Sequence, residues 1–255
     1  MKRFLQLLIA TSLVSAGVSA LAQTALTTVP ENPATVINPE DKQAKIQELK
    51  EHIVSLAQSY QGQGDKDFSR QKSLEVLVQQ LLQLAPQPPV KDRLNVLYGV
   101  WKQVWGPYDY RNDQRGVDPE LGVDEIYQTV FPGGYYYNTS PLYKNGDRSK
   151  VRIGLLRGKF QLSEDNANFL NVRFTKYAGI NGRPDADTNL WDLAPLAEAG
   201  TLENQITIVP TIIVRLFFGG GALNEIYTDK DLRILYGQSS DEFRAPYLYV
   251  MTKVK

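Results

Sequence analysis

Apolar positions along the chain first recur at spacings of three and four, then alternate with polar ones. Ile46, Leu49, Ile53, Leu56 and Tyr60 form one stripe at helical spacing. Asn38-Pro39-Glu40-Asp41 stands ahead of it. Asn38 suits a helix cap, Pro39 the first helical position, and the two acids the positive end of the helix dipole. Gln61-Gly62-Gln63-Gly64 stops this helix. Leu74, Leu77, Leu81 and Leu84 predict a second helix from about Phe68 to Leu84, ended by Pro86, Pro88 and Pro89. Residues 38–86 therefore read as a helical hairpin.

From Leu94 the texture becomes β: short runs of Val, Ile, Tyr and Phe between Gly, Pro, Asn and Asp clusters. The predicted strands are Leu97–Trp105, Glu125–Val130, Tyr135–Pro141, Val151–Leu162, Phe169–Tyr177, Ile206–Phe218, Leu223–Tyr227, Leu232–Tyr236 and Tyr247–Lys253. Leu190 to Glu203 hints at a helix or an irregular turn, which Pro195 weakens. Consecutive strands with short connections favour an antiparallel up-and-down barrel over a parallel sheet, which needs helical crossovers. The expected fold is mainly β, with the barrel at residues 90–255 behind the hairpin and room for one ligand.

The chain start has a different pattern. Lys2 and Arg3 precede the charge-free stretch Phe4 to Ala20, and Ala20-Leu21-Ala22 is a small-x-small cleavage signal. Gln6, Thr11, Ser12 and Ser15 make the stretch marginal as a membrane span. Residues 1–22 therefore read as a signal peptide of an exported protein, and 23–37 as a linker.

Charge and composition narrow the chemistry. There are 28 basic and 28 acidic side chains; without Lys2 and Arg3 the balance is 26 to 28. That balance argues against nucleic acid as partner. With no cysteine, disulfides, thiol nucleophiles and cysteine–zinc sites are excluded. A single histidine, His52, removes most hydrolase triads and multi-histidine metal sites. No pair of carboxylates stands out for acid–base work, so no enzyme activity and no cofactor are expected.

Two segments resemble a known family. Leu97-Tyr98-Gly99-Val100-Trp101-Lys102-Gln103-Val104-Trp105 is similar to the first strand of the plastid lipid-associated proteins (PAP/fibrillin, or plastoglobulin), a relative of the lipocalin G-x-W. Ile226-Tyr227-Thr228-Asp229-Lys230-Asp231-Leu232-Arg233-Ile234-Leu235-Tyr236-Gly237 resembles their closing Y-L-D-x-D-L-R-I box. Ile126 to Val130 and Tyr136 to Asn138 resemble the second and third strands. Thr228, Lys230 and Leu235-Tyr236 depart from the pattern, and the acidic insert Gly106–Asp124 is longer than usual. The resemblance implies a lipocalin-like barrel that carries an isoprenoid, carotenoid, quinone or lipid near photosynthetic membranes. An exported member would work in the periplasm or thylakoid lumen, peripheral to the membrane.

Individual residues carry two readings each. Trp101 and Arg233 are either a cation–π latch of the barrel or, for Arg233, a grip on a lipid acid group. Tyr127, Tyr135, Tyr137 and Tyr249 are either cavity wall with polar handles or ordinary strand residues. Phe160, Phe174 and Phe217 extend that apolar surface, and Arg215 is a further candidate for orienting a ligand. Phe217-Phe218 beside Gly219-Gly220-Gly221 reads as a greasy lip or as a flexible hairpin turn. Asp185-Ala186-Asp187-Thr188-Asn189 imitates a calcium loop but lacks the glycine and glutamate that such a loop needs. Two functions follow: a carrier of a hydrophobic small molecule, with the hairpin as lid, plug or docking surface, or a filled-barrel protein that docks on a membrane-associated complex.

Overall fold

The structure, a computed structural model, describes residues 38–254 apart from 64, 66–67, 107–124, 145–146, 183–187, 203–205, 210–219 and 240–245. The expected signal peptide and linker, the acidic insert after Gly106, Arg215 and Phe217 lie outside the described residues.

Helix α1 (Pro39–Ser59) starts as its sequence predicts, with the Glu40 N–H donating to Asn38 Oδ1 at 3.3 Å. Helix α2 (Ser69–Leu84) is capped from further back. Phe68 occupies the cap position at φ 58° and makes no side-chain capping bond. The fully buried Asp65 replaces it, its carboxylate accepting from the Arg70 and Gln71 N–H groups, both at 2.9 Å. After the prolines come a 3-10 turn at Val90–Arg93 and the short helix α3 (Leu94–Leu97).

Nine antiparallel strands follow: β1 (Gly99–Trp105), β2 (Tyr127–Phe131), β3 (Tyr135–Lys144), β4 (Asp147–Leu162), β5 (Phe169–Asn181), β6 (Ile206–Val209), β7 (Gly220–Thr228), β8 (Leu232–Ser239) and β9 (Tyr247–Lys253). A 3-10 turn at Leu190–Asp192 runs into α4 (Leu193–Glu198) between β5 and β6. The strand order is β4-β3-β2-β1-β9-β8-β7-β5-β6, and β4 also pairs with β5.

This arrangement corrects the expected lipocalin-like, mainly-β up-and-down barrel. In such a barrel each strand has two neighbours, whereas β5 has three: β4 over Leu170–Asn181, β7 over Phe169–Arg173 and β6 over Tyr177–Ile180. The sheet is branched, and helical segments are built into the part of the chain expected to be all strand. The described fold is a mixed one of four α-helices and a nine-stranded antiparallel sheet. Two segments account for the difference. The apolar run from Ile206 reads as one long strand but is described as strand only to Val209, and Leu190–Glu198 is helical despite Pro195.

Three apolar clusters cover both faces of the sheet. On the outer face, Ile53, Leu74, Val78 and Leu81 of α1 and α2 pack on Val104, Trp105, Ile234, Leu248 and Val250. Elsewhere on that face, Leu190, Leu193, Ala194 and Ala197 cover Val100, Tyr127, Tyr137, Ile153, Leu155 and Ile180. On the inner face Trp101, Val130, Tyr136, Phe160, Leu170, Val172, Leu235 and Met251 meet Val90 and Leu97 from the segment before β1. Each fully buried aliphatic or aromatic side chain contributes roughly 1.5–3 kcal/mol.

Polar contacts register the hairpin on the sheet. Lys50 Nζ lies 2.7 Å from Asp229 Oδ2, and Tyr236 Oη donates to Glu75 Oε1 at 2.7 Å. Gln71 donates to the Pro246 carbonyl at 3.2 Å and accepts from the Leu248 N–H at 3.1 Å. These contacts and the apolar cluster fix the hairpin on the outer face of β1, β8 and β9, which corrects its expected role as a lid or plug.

Candidate binding site

The inner face has a sealed end and a half-exposed one. At the sealed end, Glu225 and Arg233 are fully buried and paired in a fork: Arg233 Nη2 donates to Glu225 Oε1 at 2.6 Å and Nε to Oε2 at 3.0 Å. Both donors aim at one carboxylate, the strongest arrangement available to a guanidinium. Arg93 enters from the segment before β1 and donates to the Glu225 carbonyl (2.5 Å), Thr228 Oγ1 (2.9 Å) and the Pro88 carbonyl (3.0 Å). Burial lowers the pKa of Arg93, with Glu225 acting against the shift and Arg233 adding to it.

Trp101 lies over this ion pair. Its Nε1 donates to the Leu97 carbonyl at 2.8 Å, and its ring centroid is 4.2 Å from Lys253 Nζ and 6.0 Å from Arg233 Cζ. The Lys253 ammonium also donates to the Val96 and Tyr98 carbonyls. Burial, reinforced by the nearby Arg233, lowers its pKa. The latch reading of Trp101 and Arg233 is therefore the one the geometry supports, since the guanidinium's hydrogen bonds go to protein groups.

A chain of amides leads away from the ion pair. Arg233 Nη1 donates to Gln128 Oε1, and Gln128 Nε2 donates to Asn138 Oδ1 at 2.9 Å. Each link fixes the orientation of the next amide, because a guanidinium only donates. Asn138 is left with Nδ2 as a donor that has no hydrogen-bond partner among the described residues. Asn138 is half-buried, and so are Ser140, Leu142, Arg152, Leu156, Phe174, Leu223 and Tyr249 on the same inner face. The outward-facing side chains of the same strands, Tyr137, Thr139, Ile153 and Leu155, are buried. Beyond Gln128 the inner face is thus half-exposed and presents an oriented N–H donor at Asn138.

Glycines let neighbouring side chains lie close against that face. Gly154 pairs with Gly179 across β4 and β5. A Cβ at Gly154 would lie 3.1 Å from Tyr177 Oη, and one at Gly179 would lie 2.7 Å from Arg152 Nη2. Similar contacts are 2.5 Å from the Tyr136 ring at Gly158 and 2.6 Å from the Tyr249 ring at Gly237. The missing side chains let three tyrosines and a guanidinium lie flat on the sheet.

The sequence-derived candidates divide between the two faces. Trp101, Phe160, Phe174, Arg233 and Tyr249 are on the inner face, the first, second and fourth packed in its sealed part. Tyr127, Tyr135 and Tyr137 are on the outer face and line no common site with them. Tyr127 packs edge-on against Trp191 with centroids 5.0 Å apart. Tyr135 stacks on Phe131, with the Arg157 guanidinium 4.6 Å from its centroid. Tyr137 donates to Glu198 Oε2 at 2.6 Å, and burial together with that carboxylate raises its pKa. Arg157 grips the same carboxylate through Nε and Nη2, both at 2.9 Å. Burial alone would raise the Glu198 pKa; Arg157 and Tyr137 outweigh it and hold the pKa below the ordinary range.

The sequence reading missed Arg93, Gln128, Asn138 and Glu225. A glutamate inside an alternating strand, eight residues before an arginine on the next strand, was the available signal. Gly220 and Gly221 also differ from expectation: they are β7 residues paired with Arg173 and Val172, not a hairpin turn.

Among the described residues no cluster of three histidine or carboxylate side chains is placed to hold a metal ion, and no helix is long and apolar enough to cross a membrane.

No family model, no curated protein and no solved structure matches the chain. The resemblance to plastid lipid-associated proteins is corrected accordingly, and with it the lipocalin-like barrel and the link to photosynthetic membranes. The segments that suggested it have local structural duties. Trp101 belongs to the latch. Asp229 Oδ1 accepts from the Asp231 and Leu232 N–H groups, both at 2.8 Å, and so builds the β7–β8 turn. The hydrophobic-carrier and filled-barrel docking functions fall too. Where the inner face is apolar it is occupied by the protein's own side chains and a buried ion pair. Where it is half-exposed, Leu142, Leu156, Phe174 and Leu223 are interspersed with Asn138, Ser140, Arg152 and Tyr249.

Proposed function

We propose that the protein is an exported, non-catalytic binding protein for a small planar organic molecule that carries a hydrogen-bond-accepting acid group. The observation that carries this reading is Asn138 Nδ2, a donor oriented by the amide chain from Arg233 and presented on the half-exposed part of the inner face. A carboxylate oxygen completes that donor, and the half-buried Tyr249, its ring close against Gly237, offers a ring face to a planar body. The same features disfavour a long isoprenoid or acyl chain, which would leave the amide unpaired. Export rests on the stretch Phe4–Ala20 behind Lys2 and Arg3.

The test is titration calorimetry of the full mature chain with benzoate, salicylate and indole-3-acetate, against the matching alcohols. Saturable binding of an acid, weakened about ten-fold by Asn138→Leu and abolished by Leu156→Trp, supports the reading. Binding of none of the acids, or binding indifferent to both substitutions, overturns it.

A further inference from the structure

The outer face of β4 and β5 departs from the electrical neutrality of the whole chain. Lys159 is paired directly with Arg173, and Arg157 with Lys176, two positions away on β4 and three on β5 across a β-bulge that keeps both pairs on one face. Directly opposed residues on one face stand about 5 Å apart, and successive same-face rows about 6.7 Å apart. Four cations thus occupy two adjacent rows. Like charges in opposed positions destabilise a sheet unless something lies between them. The described carboxylate at this patch, Glu198, is engaged by Arg157 at 2.9 Å and also feels Lys176. Lys159, Arg173 and Lys176 form no ion pair among the described residues. Lys159 and Arg173 are exposed and Lys176 is half-buried. Glu164 and Asp165 belong to the β4–β5 turn, beyond the row of Gln161 and Asn171.

We propose that Lys159, Arg173 and Lys176 form a second binding site, on the sheet face opposite Asn138, for a phosphate- or sulfate-type oxyanion. Such a group carries one or two negative charges and several acceptor oxygens. It suits a lysine and an arginine side by side, the ammonium as a point charge and the guanidinium as a fork. Tyr135, opposite Lys159 on β3, borders the patch with its ring held by Phe131 and Arg157. The oxyanion relieves the repulsion between the opposed cations, so binding and stability are linked.

The experiment follows thermal unfolding of the mature chain in sodium chloride, sodium sulfate and sodium phosphate at equal ionic strength, with isothermal titration of inorganic phosphate alongside. Sulfate and phosphate are expected to raise Tm beyond chloride. Lys159→Gln with Arg173→Gln is expected to remove that excess and weaken phosphate binding at least about ten-fold. In chloride the double variant is expected to melt no lower than the parent, which shows that it folds. Sedimentation with phosphatidylglycerol vesicles, against phosphatidylcholine, separates the sources. Capture that depends on Lys159 and Arg173 assigns the oxyanion to a lipid headgroup; a salt response without capture assigns it to a soluble anion. Equal Tm in the three salts with no vesicle capture, or an excess that survives the double substitution, overturns the proposal.

Discussion

Glu225 and Arg233 carry charge where water does not reach, so each depends on the other for the solvation it has lost. Removing one partner strands the other. Glu225→Gln is expected to destabilise the fold by about 3–5 kcal/mol, whereas Glu225→Leu with Arg233→Met should cost much less, because no charge is left unpaired. Urea unfolding of both variants checks this; equal losses would show that packing volume, not charge, holds the sealed end. Asp229 is the second residue with a measurable signature. Burial would raise its pKa, but Lys50, the Asp231 and Leu232 N–H groups and Tyr227 together hold it below the ordinary carboxylate range. A carboxylate whose folded pKa is depressed stabilises the fold above its unfolded pKa, and that contribution fades as pH falls toward the folded value. Asp229→Asn should therefore lower stability by about 2 kcal/mol at pH 7, with the gap to the parent closing below about pH 4. A gap that stays constant from pH 7 to pH 2.5 would contradict this assignment. Neither residue's role was legible in the chain. Asp229 stood out as part of a motif, but its partner Lys50 is remote in sequence, and no periodicity reveals a contact across that distance.

At the level of elements, the two long helices were readable because each has one apolar stripe bounded by strong punctuation. Ile46, Leu49 and Ile53 are all buried, as are Leu74 and Leu81, and Asn38 caps as expected. The strands were readable as strands but their faces were not. A sheet buried on both sides shows little alternation, so Tyr127, Tyr135 and Tyr137 could not be separated from Phe160 and Tyr249 by composition. Glycines inside strands were equally opaque. Gly220 reads as turn, yet a Cβ there would lie 2.5 Å from the Val172 carbonyl oxygen, a backbone atom that cannot step aside. Gly220→Ala is expected to cost about 1–3 kcal/mol, whereas Gly182→Ala, with nothing within 4 Å but a φ of 77°, should cost about 1 kcal/mol from the backbone alone. Chemical denaturation of the two variants separates crowding from backbone strain, and a larger loss at Gly182 would reverse the argument.

For the molecule as a whole, the helical hairpin and the sheet share one apolar cluster and four polar latches, so they should melt together. Circular dichroism at the helix signal and tryptophan fluorescence, which reports Trp101, Trp105 and Trp191, are expected to give one coincident transition. Ile53→Ala, a cavity beneath the hairpin, should shift both signals by the same amount, at a cost of about 2–5 kcal/mol. Two separated transitions would mean that the hairpin is an appendage.

The position of β9 between β1 and β8 has a consequence for the order in which the chain can become ordered. Trp101 finds its partner Lys253 only after some 150 intervening residues have been made, and no earlier strand can take that place. The β9 edge of β1 is thus completed only by a late, long-range closure, and such closures are slow compared with local ones. The local pairings β1–β2, β2–β3 and β3–β4 can form earlier, but Trp101 stays without its Lys253 cover until β9 arrives. In a Trp105→Phe, Trp191→Phe variant, recovery of the Trp101 fluorescence on refolding should accordingly lag behind the appearance of helix.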